Sequence, residues 1–132
     1  MAWVAGVVDG EGCLDYTCAA RTVRLRVKMT HLTTIKKLKQ VTGVGNVRTY
    51  QTGNDRRVWE WCVVGREELQ RLLCALLPYS VTKLREIEAV LAFFVTSPLH
   101  PGVPYSPREL RARDRLYKRL RRLKHEGWRD EK

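Results

Sequence analysis

Two carboxylates, Asp9 and Glu11, alternate with glycines in the stretch Val4-Ala5-Gly6-Val7-Val8-Asp9-Gly10-Glu11-Gly12. Gly6 and Gly10 are four residues apart, as are Val4 and Val8, so a helix here has one bare face that a second backbone could approach closely. Two such helices side by side would bring together the acids just beyond their ends. Paired carboxylates near phosphodiesters are what divalent-metal hydrolysis of DNA requires. The plainer reading is a glycine-rich turn with solvated acids. Two acids at a helix C-terminus, however, oppose the macrodipole and ask for a compensating cation.

Other reactive side chains are sparse. The cysteines (Cys13, Cys18, Cys62, Cys74) form no Cys-x-x-Cys pair and the histidines (His31, His100, His125) are far apart, so a zinc site is not expected. Cys62 and Cys74 lie in apolar surroundings and read as reduced core or sheet residues, which fits a reducing, cytoplasmic-type compartment, or an organellar matrix if the host gene is organellar. No organic cofactor is called for. Lys83 sits five residues after Pro78, where it reads at least as a solvated lysine opening a helix.

The charge points to a polyanion. The chain carries 25 Lys and Arg against 14 Asp and Glu, a net +11 spread over both the tail and the first 105 residues. Nucleic acid is the commonest partner for such a balance. The apolar runs are far shorter than a membrane span, and no basic-then-apolar leader precedes Asp9, so no membrane role is expected.

The elements that must position these residues follow from periodicity. Residues 3–10 read as a short helix. Residues 13–20 and 22–29 read as strands joined by a tight turn near residues 20–22. In the second strand Val23, Leu25 and Val27 alternate with Arg24, Arg26 and Lys28. Three cations in a row on one face repel unless something anionic lies over them, and a two-stranded ribbon fits the DNA major groove. A helix over 32–41 stops at Gly43, and a second hairpin spans 45–50 and 58–64. Leu69, Leu72, Leu73 and Leu76 mark a third helix; Val81, Leu84, Ile87, Leu91 and Phe94 mark a fourth. The prediction is an α+β domain of order αββαββα, with an antiparallel, saddle-shaped sheet in front of its helices. Residues 1–97 form the core, 98–107 a Pro-rich loop, and 108–132 a basic helix with Leu110, Leu116, Leu120 and Leu123 as its apolar stripe.

The nine-residue stretch resembles the LAGLIDADG motif, and the chain is similar to single-motif LAGLIDADG homing endonucleases. The element order agrees, as do Gly43-Val44-Gly45-Asn46-Val47 and Leu77-Pro78-Tyr79 followed by Lys83. The resemblance implies a homodimer that cuts double-stranded DNA at a long pseudo-palindromic site with Mg²⁺ or Mn²⁺, leaving a 3′ overhang, with an intron or intein as the genetic home. It implies Glu11 as the metal-ligating carboxylate, Asp9 as a supporting acid near the metals, and Lys83 as a base beside the scissile phosphate. Val4, Gly6, Val7 and Gly10 would form the dimer interface. Asp15, Thr17, Arg21, Arg24, Arg26, Lys28, Asn46, Arg48, Tyr50, Arg56 and Glu60 would face DNA, while Val23, Leu25, Val27, Val47, Trp61 and Val63 would face the helices. Relatives often carry a water-organising polar side chain at the end of the second strand; Met29 could not serve, leaving Thr30 or His31. Only Met1 to Trp3 precede the motif, so the first helix is expected to lack a leading turn and cap. The same fold also serves non-cutting nucleic-acid binders, RNA maturases and transcription regulators; retention of both Glu11 and Lys83 favours cutting.

Overall fold

The valine pair of the motif decides how the first helix lies. Val4, Ala5 and Val8 are buried, and they seat α1 (Ala2–Glu11) on the sheet with Gly6 and Gly10 turned outward. Met1 gives this helix no side-chain cap. The computed structural model describes residues 1–97 and 104–130, with residues 127–130 described by backbone alone. After α1 come β1 (Gly12–Thr17), β2 (Thr22–Met29), α2 (Leu32–Thr42), β3 (Asn46–Gln51), β4 (Arg57–Val63), α3 (Arg66–Leu76), a 3₁₀ turn (Leu77–Tyr79), α4 (Leu84–Thr96) and α5 (Pro107–Asp130). The order is αββαββα followed by two helices, α4 and the long α5, one helix more than the expected αββαββα order with a C-terminal helix. Residues 98–103 of the expected Pro-rich loop lie outside the described residues.

The strands form one antiparallel sheet in the order β1-β2-β4-β3. Pairings Leu14↔Leu25, Val27↔Trp61 and Leu25↔Val63 put apolar side chains on one face, where all five are nearly inaccessible. Because side chains alternate, the same register puts Asp15, Arg24, Arg26, Lys28, Glu60 and Arg48 on the other face. Helices cover only the apolar face; Ile35, Leu38, Leu69, Leu73, Leu76 and Ile87 complete the core there.

Several expectations need correction. Val47 has the parity of the helix-facing residues but is 37% exposed, because β3 is an edge strand exposed along its length. Cys62 is buried, yet on the outer face opposite Arg26 and Asn46, and Cys74 is exposed on α3. Val81 is 80% exposed and precedes α4 rather than opening its apolar stripe. The first hairpin turns over residues 18–21, with Arg21 in the left-handed region at φ 52°. Val4, expected at the dimer interface, is fully buried in its own chain's core.

Local chemistry ends the helices as the residue types require. His31 caps α2 by accepting from the Thr34 amide at 3.3 Å, and Gly43 closes it in a left-handed conformation at φ 69°. Gly45 follows at φ 85°; a Cβ there would lie 2.6 Å from Trp61 Nε1, the atom that donates to the Val44 carbonyl. At the start of α5, Ser106 and Glu109 make a reciprocal capping box, with Pro107 as the first helical residue. The buried stripe of α5 is Arg113, Leu116 and Leu120, with Leu123 half-buried and Leu110 exposed. Arg113 holds a core position because its guanidinium lies 3.7 Å from the Tyr105 ring centre and 5.3 Å from that of Phe93.

The loop at Gly45 has no room for a methyl group. Gly45→Ala should cost about 2 kcal/mol or more, from a strained left-handed alanine plus displacement of the indole. A thermal melt should show the midpoint lowered by about 5–10 °C; an unchanged midpoint would mean the tryptophan is not locked in this way.

Candidate functional site

Glu11 is the last residue of α1, and the chain enters β1 at the next position. That switch needs Gly12, because a Cβ there would come within 2.5 Å of the Val8 carbonyl. The consequence is an exposed Glu11 carboxylate with no ion-pair or hydrogen-bond partner among the described residues. It lines a small cleft of about 140 Å³ with Cys13, Arg26 and Lys28, on the outer side of the sheet.

Asp9 is arranged differently. Its Oδ2 accepts from the Val81 amide at 2.9 Å and its Oδ1 from the Lys83 amide at 3.0 Å. Both oxygens are thus spent on the segment that leads into α4, which sets Asp9 apart from the free carboxylate two residues later. The contact brings together the two parts of the chain that the sequence singles out, the end of α1 and Lys83. Lys83 is half-buried and stands at the N-cap of α4. One turn on, Glu86 is buried, with Oε2 lacking a hydrogen bond. Burial pushes its carboxyl above the usual range, while Lys83 and Lys124 pull it back.

The outer sheet face carries its own counter-charges. Asp15 accepts from Arg24 Nε and from Arg26 Nη2, both at 3.0 Å. Lys28 lies 4.0 Å from Glu60 and 5.4 Å from the Tyr50 ring centre, and Tyr50 donates to Glu60 at 3.2 Å. The anion expected over the row of cations is therefore supplied in part by the protein itself. Glu60 has the expected parity but is only 8% exposed, beneath Tyr50 and Lys28. Thr17 spends its hydroxyl on the Thr22 carbonyl. Asn46 and Arg48 are exposed on β3, and Arg21 and Arg56 project from the two hairpin turns. Cys13, Cys62 and Val58 share this face by register and were not singled out from the sequence, although the alternation that places Arg26 places them too.

At the end of β2 the polar group that relatives often carry is not in the cleft. Met29 packs against the core, His31 is occupied as the α2 cap with Nδ1 2.7 Å from the Thr34 hydroxyl, and Thr30 is exposed outside the cleft lining. Among the described residues no three His, Cys, Asp or Glu side chains gather around a common point that could hold a metal. Glu11 is a hard oxygen donor suited to Mg²⁺ or Mn²⁺, but one carboxylate is only a fragment of a coordination sphere. No helix among these residues is long and apolar enough to cross a membrane. A groove of about 590 Å³ between α4 and α5 lies away from Glu11 and is lined by Ala89, Phe93, Leu116 and Arg119 among others.

No family model matches the chain. DNA endonuclease I-CvuI of Chlorella vulgaris is 33% identical to it over 101 residues, 68% of this chain and 60% of that protein. The chain thus spans about 60% of the length of this relative. A crystal structure of I-CvuI with the I-CreI target C1221, in 2 mM Mg with the DNA not cleaved, superposes with a TM-score of 0.76 at 28% identity, covering 92% of this chain and 80% of that one. The archaeal intron-encoded homing endonuclease I-Vdi141I, complexed with DNA, superposes with a TM-score of 0.70 over 92% of this chain and 81% of its own; at 12% identity it speaks to the fold alone.

The Asp9 bridge has a direct readout. Asp9→Ala removes two charge-assisted hydrogen bonds and should cost on the order of 1–2 kcal/mol. The amides of Val81 and Lys83 should lose their protection in hydrogen exchange while those of β2 keep theirs. Unchanged protection at both amides would show that the segment is held by other means.

Proposed function

We propose that the chain is a LAGLIDADG homing endonuclease that cuts double-stranded DNA at specific sites as a homodimer, with Glu11 as the metal-binding carboxylate of each protomer. The observation that carries this is the state of α1. Its outward face is bare at Gly6 and Gly10, where an added Cβ would meet nothing within 4 Å, and it ends on a carboxylate with no partner among the described residues. Glycine in the middle of a helix costs about 1 kcal/mol relative to alanine, so two of them on an empty face need a reason outside the chain. A second α1 is that reason. Packed face to face, two copies bring their Glu11 side chains to one place, above which the outer faces of two sheets form a continuous cationic surface.

One metal-binding acid in each motif also explains the need for two chains. A double-strand cut needs an active site for each strand, and a two-fold dimer on a pseudo-palindromic duplex provides them. Phosphate oxygens, water and the second protomer's carboxylate would complete the ligand set that Glu11 begins. The bound Mg²⁺ or Mn²⁺ would polarise the phosphodiester and make water a better nucleophile. The chain's own residues do the rest. Asp9 holds the Val81–Lys83 backbone against the end of α1, and so keeps the Lys83 ammonium near the carboxylate corner. There Lys83 stabilises charge developing on the phosphate. On the sheet, Arg24, Arg26, Lys28 and Arg48 contact bases or phosphates, and the Asp15 and Glu60 pairings fix the rotamers of Arg24, Arg26 and Lys28 beforehand.

Two measurements test this. Glu11→Gln keeps the shape but removes the charge, so cleavage of a plasmid library built around the duplex bound by I-CvuI should fall by orders of magnitude in Mg²⁺, while binding in Ca²⁺ persists. Lys83→Met should slow cutting with little change in affinity, because its contribution arises in the transition state. A Glu11→Gln protein that cuts at the wild-type rate overturns the assignment; a wild-type chain that binds the duplex yet never cuts it is instead a binding protein of the same fold. The interface is tested separately by Gly6→Leu, which should leave each chain folded, since the position is open, but sediment as a monomer. A variant that still dimerises and cuts both strands places the interface elsewhere.

A further inference from the structure

One group reaches the Glu11 cleft from outside both the sheet and α1. α5 packs against the edge strand β1 and buries Leu116 and Leu120 in the common core. One turn beyond Leu120, Lys124 reaches over the sheet edge, and its Nζ lies 3.4 Å from Cys13 Sγ. Cys13 has the parity of Asp15 and stands opposite Arg26, so the ammonium arrives on the outer face, beside the cleft that Cys13 shares with Glu11, Arg26 and Lys28.

The other cations of the cleft already have anionic partners: Arg26 has Asp15 at 3.0 Å, and Lys28 has Glu60 at 4.0 Å. Lys124 has none of this kind. Among the described residues its hydrogen bond is to a thiol, a weak acceptor, and the carboxylate it acts on electrostatically is the buried Glu86, at no ion-pair distance. An ammonium whose protein acceptor is a thiol is weakly held, and an anionic oxygen would hold it more strongly. The cleft is also short of polar groups from the end of β2, since Met29 is packed and His31 is spent on its cap.

We propose that Lys124 is a phosphate-binding residue of the Glu11 cleft: on DNA binding its ammonium leaves Cys13 Sγ for a non-bridging oxygen of the phosphodiester that Glu11 faces. This rests on the reading of the outer face as a DNA surface. It makes the C-terminal helix part of the reaction centre as well as of the core. Lysine suits the task, because a compact ammonium on a flexible stem can trade one acceptor for another within a few ångströms.

The test uses the full chain and a random-sequence duplex of about 30 base pairs, with affinity measured against salt in the absence of divalent metal. Lys124→Met should flatten the slope of log affinity against log salt by about 0.9, one phosphate contact, and Lys124→Arg should restore it. Arg71→Met, on the exposed side of α3, should leave the slope unchanged. Contact with the same phosphate is read by combining Lys124→Met with Glu11→Gln. The double variant should depart at least about threefold from the product of the single effects, because residues that share a partner are not additive. Lys124→Gln, checked for wild-type melting, stands in if the methionine variant is unstable. A steep wild-type slope that Lys124→Met leaves unaltered, or strict additivity with Glu11→Gln, overturns the proposal and leaves the DNA reading intact. A wild-type chain with no salt-dependent affinity overturns the DNA reading itself.

Discussion

The carboxylate of Asp9 accepts two amides from a segment more than seventy residues away, and the candidate site depends on that contact. α1 and α4 are otherwise joined through the core, where apolar packing sets distance but not rotation about the helix axis. Two charge-assisted hydrogen bonds are directional and fix what packing leaves free. They place the start of α4, with Lys83, against the last turn of α1, two residues before Glu11. Asp9 also shares the helix C-terminus with Glu11, where carboxylates are unfavourable against the helix dipole. For Asp9 the two amides offset that penalty. For Glu11 no hydrogen bond or ion pair among the described residues does.

The motif, the strand parity and the element order were legible in the sequence because each rests on a short-range rule: glycine spacing on a helix, alternation on a strand, caps at helix ends. The faces of β1, β2 and β4 follow from alternation alone. What was not legible depends on how elements meet. Val47 obeys the alternation but lies on an edge strand, and the sheet order β1-β2-β4-β3 that makes β3 an edge is not written in local periodicity. Val81 continues the spacing of Leu84 and Ile87, but the Asp9 contact draws it out of the helix. Val4 falls within the motif like Gly6, yet the two project to opposite sides, and only the position of the sheet says which side is inside. The reciprocal Ser106 and Glu109 cap could have been found from its spacing. Arg113 as a core residue could not, since its partners Tyr105 and Phe93 belong to different elements.

The outer face shows how a cationic surface is kept compatible with folding. Three cations along β2 would repel one another, and Asp15 and Glu60 relieve this by taking Arg24, Arg26 and Lys28 as neighbours. Such pairs are partly exposed, so their direct contribution to stability is small. Their larger effect is on geometry. A guanidinium already held by a carboxylate has less rotamer freedom to lose when a further anion binds it. The acids also make the face selective, because an anion placed against Asp15 or Glu60 is repelled.

The C-terminal helix is where stability and charge become hard to separate. An amphipathic helix with so many arginines and lysines could be taken for a detachable arm, but Arg113, Leu116 and Leu120 are buried in the same core as α1 and the sheet. Removing it would expose Tyr16 and the outer flank of β1 as well as strip away cations. The helix is therefore a wall of the domain whose far side and last turns carry positive charge, and its register is set from the inside. Rotation that lifted Leu120 from the core would carry Lys124 away from Cys13. A surface contact fixed by buried side chains one turn away is pre-organised without needing a rigid loop, and the core packing that stabilises the fold thereby also sets which cation stands beside Cys13.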